Sequence, residues 1–190
     1  MMQDANVQSF VGRKGIPIVG DVIGPEDGPP VVLSHGGGQT RHAWGNSTTR
    51  LATHGFRVYA LDLRGHGDSG WAPDSRYDID DYADDIRRLR ATLRLPPVLV
   101  GASLGGIASL LAAGEEPFLD ISGLCLVDVS ANLRPDGVEG ILNFMRQTSG
   151  GFDSVKEAAD AIAKYLPHRS PPTHTGGLSK NLRRREDGRY

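Results

Sequence analysis

Residues 98–106, Val-Leu-Val-Gly-Ala-Ser-Leu-Gly-Gly, join a short apolar β-type run directly to an Ala/Leu-rich helical segment through the pattern G-x-S-x-G. A serine set between strand and helix with no intervening loop must stand on a turn too tight for Cβ-bearing neighbours. That accounts for Gly101 and Gly105, two positions to either side of Ser103. The hydroxyl is then lifted clear of the sheet, over the first N–H groups of the helix, where developing negative charge is favoured. Ser103 is therefore a candidate nucleophile.

A chain of 190 residues has room for one α/β domain, or one domain and part of a second. Its formal net charge of -2 gives no electrostatic reason to expect nucleic acid or an anionic membrane as partner, so a small-molecule substrate is expected. The N-terminus lacks a basic segment followed by an apolar one. No stretch approaches the roughly twenty apolar residues of a membrane span, and a cytoplasmic location is expected. The single cysteine, Cys125, excludes a disulfide within the chain; its apolar neighbours at 124–127 lead us to expect a buried, inert thiol. No cofactor and no metal are expected, and nothing in the sequence selects an oligomeric state.

Strands are expected at residues 7–12 and 16–23 around an Arg13-Lys14-Gly15 turn, and at 31–33 and 56–61, whose continuous apolar runs suit strands covered on both faces. Trp44, Leu51 and Ala52 fit one face of a helix closed by His54 and Gly55. From Asp78, the residues Ile79, Tyr82, Ala83, Ile86, Leu89 and Leu93 recur at helical spacing, with Asp84 one turn before Arg88 on the solvated face. The strand before Ser103, a helix to Ala113 and a strand at 123–129 follow. Such alternation predicts a mostly parallel sheet with helices on both faces. After Ser130 the texture is helical: Val138, Ile141, Leu142 and Met145 mark one helix, Val155, Ala158, Ala159, Ile162 and Leu166 another, and 169–173 is a Pro-containing linker. Two regions are expected, 1–130 and 131–190.

Two further motifs follow strands. Ser34-His35-Gly36-Gly37-Gly38 comes after the third, and its glycines let backbone N–H groups approach a ligand oxygen without side-chain obstruction. Asp62-Leu63-Arg64-Gly65-His66-Gly67-Asp68-Ser69-Gly70 comes after the fourth. Together with the Ser103 turn, these resemble the α/β-hydrolase superfamily, in its epoxide hydrolase, cofactor-free haloperoxidase and C–C hydrolase branches. The resemblance implies the α/β-hydrolase fold, truncated before its last strands, with 131–190 as the start of a helical cap. It also implies an oxyanion hole formed by the N–H groups of Leu104 and Gly37, with Gly38 as alternative. Serine in place of the aspartate of epoxide hydrolases points to acyl transfer on an ester, lactone, thioester or activated C–C bond, or to perhydrolysis. His35 and Trp44 are candidates for the substrate pocket, each with a structural alternative: a hydrogen-bonding role for His35 and core packing for Trp44, as also for Trp71.

The resemblance further implies a catalytic histidine late in the chain, after the acid. The six histidines are His35, His42, His54, His66, His168 and His174, and none stands in that place. His66 is expected to stabilise its loop. Asp128, at the end of the sixth strand, is a candidate acid, with a turn-capping role as the alternative. The expectation is thus an N-terminal portion of a longer serine hydrolase, inactive alone. A non-catalytic binding module is the alternative.

Overall fold

The computed structural model describes residues 6–130, 135–165, 167 and 176–190. The chain divides into two compact units, Met1–Ala131 and Asn132–Tyr190. In the first, strands β1 (Asn6–Val11), β2 (Pro17–Ile23), β3 (Pro30–Ser34), β4 (Arg57–Leu61), β5 (Val98–Ala102) and β6 (Gly123–Val127) form one sheet in the order β1-β2-β4-β3-β5-β6. The β1/β2 and β2/β4 pairs are antiparallel, and β4/β3, β3/β5 and β5/β6 are parallel.

From β3 the chain moves to β4 on one side, while from β5 it moves to β6 on the other. The carboxyl ends of β3 and β5 therefore flank a switch point, where open α/β sheets form their binding crevices. Ser34 and Ala102 end those two strands, so the glycine loop and the Ser103 turn emerge side by side.

Helices α1 (Asn46–Thr53), α2 (Ile79–Thr92) and α3 (Leu104–Gly114) connect the parallel strands. Period-2 alternation splits the apolar runs between two cores. Val32, Leu61 and Leu99 face Tyr82, Ile86 and Leu89 of α2 and Ala108 and Ala112 of α3, while Val31, Leu33, Val58 and Ala60 meet Leu51 and Ala52 of α1. Trp44 lies outside α1, in a preceding 3-10 turn, Arg41–Trp44.

Three expectations fail on tertiary context. Asp84 pairs with Arg87 and with Arg13, each at 3.1 Å, rather than with Arg88. Cys125 is exposed: it sits on the edge strand, opposite Val100, on the sheet face where α1 is the one helix among the described residues of this unit. Trp71 is 69% exposed.

Within the second unit, α4 (Pro135–Gln147) and α5 (Val155–Tyr165) are followed by a helical turn, α6 (Gly176–Ser179). Phe144 stacks on Tyr165 with ring centroids 4.5 Å apart, and Phe152 and Tyr190 exchange two backbone hydrogen bonds of 2.8 Å. Leu166 and the 169–173 linker lie outside the described residues. Among those that are described, no strand follows β6, and no helix is long and apolar enough to cross a membrane.

Arg64 is 1% exposed and forks onto Asp85, Nε and Nη2 each donating at 2.6 Å, and Asp85 also accepts the Arg13 N–H at 2.7 Å. Removing the carboxylate strands a buried guanidinium. Asp85→Ala is expected to cost roughly 3–5 kcal/mol in urea unfolding, and a change below about 1 kcal/mol would show that the pair is dispensable. Cys125 is expected to react with a thiol reagent at the same rate in native and urea-unfolded protein; a lag relieved only by denaturant would place it in the interior.

Candidate active site

Ser103 occupies the N-cap of α3 with φ 45° and ψ -113°. A positive φ on a Cβ-bearing residue costs of order 1–3 kcal/mol and persists only where the surroundings impose it. Here two glycines impose it. A Cβ on Gly101 would lie 2.4 Å from the Gly105 carbonyl oxygen, and one on Gly105 would lie 2.3 Å from that of Ser34. The Gly105 N–H donates to His35 O at 3.1 Å, and the Ser103 N–H donates to Val127 O at 3.1 Å. The turn is thus tied to the ends of β3 and β6, with Ser103 half-buried.

In the loop after β3, the Gly36 N–H donates to Gln39 Oε1 at 3.1 Å, and the Gly38 N–H donates to His66 Nε2 at 3.1 Å. The Gly36 carbonyl accepts both the Gln39 N–H and the His35 ring. Among the described residues, the Gly37 N–H has no acceptor, nor has that of Leu104 at the start of α3. A Cβ at Gly36 would stand 3.4 Å from the Ser103 Cβ, so this loop is in contact with the serine. Two N–H groups without acceptors near a serine hydroxyl form an arrangement able to bind a developing oxyanion. Gly38, the alternative donor, is already engaged.

A family model described as the alpha/beta hydrolase fold matches residues 29–160, more than half of the chain. The chain belongs to the α/β-hydrolase family. It is similar to protein phosphatase methylesterase 1 of Bos taurus, 27% identical over 168 residues that cover 86% of this chain and 43% of that protein. It is also similar to an esterase of Mycobacterium tuberculosis, 30% identical over 172 residues that cover 85% of this chain and 55% of the esterase. The chain spans about half the length of these two relatives. A crystal structure of an α/β hydrolase from Novosphingobium aromaticivorans superposes with a TM-score of 0.83 at 27% identity, covering 100% of this chain and 68% of that one.

In this α/β hydrolase, His35 is not part of an open pocket. It is 0% exposed, its Nδ1–H donates to Gly36 O at 2.8 Å, and its Nε2 accepts the Leu63 N–H at 3.0 Å. Both ring nitrogens are committed to backbone, so the side chain has nothing to offer a substrate. Trp44 does line a cavity, of about 510 Å³, but its companions are Leu33, Leu51, Phe56 and Val100 on the α1 side of the sheet. None of the described residues lining that cavity belongs to the elbow or the glycine loop.

His42 and His54 are exposed, and the His54 ring is bonded to Arg50 O. Among the described residues no histidine is hydrogen-bonded to Ser103 Oγ; His168 and His174 lie outside them. Asp128 directly follows β6, exposed, with φ 53°. The bond from Ser103 N–H to Val127 O holds that strand end beside the elbow. Among the described residues no three His, Cys, Asp or Glu side chains cluster as metal ligands.

The segment after β4 braces the site. Asp62, 0% exposed, accepts the Arg41 N–H at 2.7 Å and the Asp68 N–H at 2.9 Å and pairs with the Arg41 guanidinium, whose Nε also reaches Asp21 at 2.8 Å. Ser69 Oγ donates to Asp62 O at 2.6 Å and accepts the Val19 N–H at 2.8 Å. Sequence reasoning missed Gln39 and Arg41. Their only local signal is proximity to the glycine loop, because Asp21, Asp62 and Asp68, the partners of Arg41, are all distant in sequence.

Burial pushes the His35 imidazole down from 6.5 to about 4, the Gly36 carbonyl opposing and the nearby His66 assisting. The unfolded chain then binds a proton that the folded one refuses. The resulting stability is full above pH 6.5 and is lost as pH falls toward about 4, by up to roughly 3 kcal/mol. Urea unfolding at several pH values should show this limb, and His35→Gln should flatten it; an unchanged slope in the variant would assign the limb elsewhere.

Proposed function

We propose that Ser103 attacks an acyl carbonyl and forms an acyl-enzyme, with the N–H groups of Leu104 and Gly37 holding the oxyanion. The reading is carried by one observation: a strained serine stands over a helix N-terminus beside two N–H groups that have no acceptor among the described residues. The substrate class is an ester, lactone, thioester or activated C–C bond of a small molecule; the similarity to a methylesterase and to a mycobacterial esterase favours esters. Serine needs a base to remove its proton. We assign that role to a histidine outside the described residues, with Asp128 as candidate acid. The base takes the Ser103 proton, the C–Oγ bond forms, and the bond from the acyl carbon to the leaving group breaks as that alcohol, thiol or carbanion takes the proton from the base. Water, deprotonated by the same base, then attacks the acyl carbonyl, the C–Oγ bond breaks to release the acid, and the serine recovers its proton.

A second reading, a small-molecule binding module without turnover, is favoured by the lack of a histidine on Ser103 Oγ among the described residues. One pair of measurements separates them. The protein expressed with its entire native reading frame is expected to take a fluorophosphonate adduct on Ser103, lost in Ser103→Ala. Residues 1–190 alone are expected to hydrolyse p-nitrophenyl acetate no faster than the same chain carrying Ser103→Ala. No adduct on a folded protein would leave the binding module, and Ser103-dependent turnover by 1–190 would place the base within this chain.

A further inference from the structure

His35 and His66 face each other across the glycine loop, ring centroids 5.0 Å apart and planes at 62°. They use their nitrogens alike. His66 Nδ1–H donates to Arg64 O at 2.9 Å, which leaves Nε2 as the acceptor for the Gly38 N–H at 3.1 Å. Their settings differ, because His35 is sealed in the core whereas His66 is half-buried and Gly38 exposed.

We propose that His66 is a positioning residue for the oxyanion hole: in its neutral form it draws the Gly38 N–H aside, so that Gly37 presents the loop N–H that has no acceptor among the described residues, and its protonation releases the loop. The inference rests on the reading of Leu104 and Gly37 as the oxyanion hole. Its chemistry is that of imidazole. Neutral His66 has one lone pair, on Nε2, and that lone pair is what Gly38 occupies. In the imidazolium that nitrogen carries a hydrogen, and the contact becomes donor against donor. The bond then breaks, and the two-residue reach from Gly36, fixed by Gln39, to Gly38 loses its far anchor.

The charged groups near His66 are committed to other partners. Burial holds His35 neutral well below the ordinary histidine range. Asp62 is turned to Arg41 and the Asp68 N–H, and the Arg64 guanidinium is turned to Asp85. Asp68 itself pairs with Arg41 at 2.9 Å. Both hydrogen bonds of the His66 ring are to backbone, and among the described residues no carboxylate is bonded to either nitrogen.

The test is a pH titration of residues 1–190 by ¹⁵N–¹H NMR, following the Gly38 amide and the His66 ring together. The Gly38 amide proton is expected to shift upfield with the midpoint of His66, and its solvent exchange to quicken roughly fivefold beyond the ordinary pH dependence, as loss of one neutral hydrogen bond would produce. In His66→Gln, whose Oε1 can accept at the position of Nε2 but does not titrate, Gly38 should hold its shift through the same range. His66→Ala should show the released shift at every pH. A Gly38 amide that stays flat while His66 titrates overturns the proposal, as does one that titrates alike in His66→Gln.

The link to the oxyanion is read separately, in the protein with its entire reading frame. Fluorophosphonate labelling of Ser103 should lose rate below the His66 midpoint, and His66→Gln should remove that limb. An unlabelled Ser103 beside an intact Gly38 titration would overturn the acyl-transfer reading and leave His66 as a brace of the loop. A labelling limb unchanged in His66→Gln overturns the positioning role itself.

Discussion

The approach of α3 to the end of β3 is the contact on which the site depends. Gly105 brings the first helical turn against the Ser34 and His35 carbonyls so closely that a single methyl group would collide with backbone, the least yielding kind of neighbour. The Gly105 N–H to His35 O bond closes the contact. Because both strand ends are held in the hydrogen-bonded register of the parallel sheet, the position of Leu104 relative to Gly37 is inherited from β3 and β5 rather than adjusted by side chains. In the proposed acyl-transfer role, donors pre-set in this way would need no reorganisation when charge develops.

The strained φ of Ser103 has the same origin. The serine is pinned on one side by its N–H to Val127 O and on the other by the helical bond from the Ile107 N–H to its own carbonyl. Relaxing it would require moving β6 or unwinding the start of α3. The conformational cost is thus met by sheet and helix together.

What the sequence made legible was local in origin. G-x-S-x-G, the glycine loop and the Asp62–Gly70 segment announce themselves because tight turns and close backbone approaches demand particular small residues at fixed spacing, and the fold follows from alternating periodicities around them. The misreadings concern side chains whose surroundings are set by distant chain. Cys125 sits in an apolar run, but burial requires a helix over the edge strand, and a run of four residues carries no information about that. Asp84 has Arg88 one turn away, yet Arg13, remote in sequence, and Arg87 claim it. For His35 and Trp44 the sequence leaves two readings open, substrate pocket or structural side chain, and for His35 the structure shows the hydrogen-bonding one. Adjacency to a motif does not say which way a ring points, and the ring of His35 turns inward to two backbone groups. The division of labour among Gly36, Gly37 and Gly38 is likewise invisible in the sequence, because it depends on Gln39 engaging Gly36 and His66 engaging Gly38.

The segment after β4 connects three parts of the chain: Asp62 holds the 3-10 turn through Arg41, Ser69 holds β2 through Val19, and Arg64 holds α2 through Asp85. Each tie spans a fixed number of residues between rigid elements. A one-residue insertion between Asp62 and Ser69 would therefore put these anchors out of phase with one another, even if every anchoring residue were kept. Surface loops ordinarily absorb changes of length with little penalty. This one behaves as a measured spacer, in which the count of residues is as constrained as their identity.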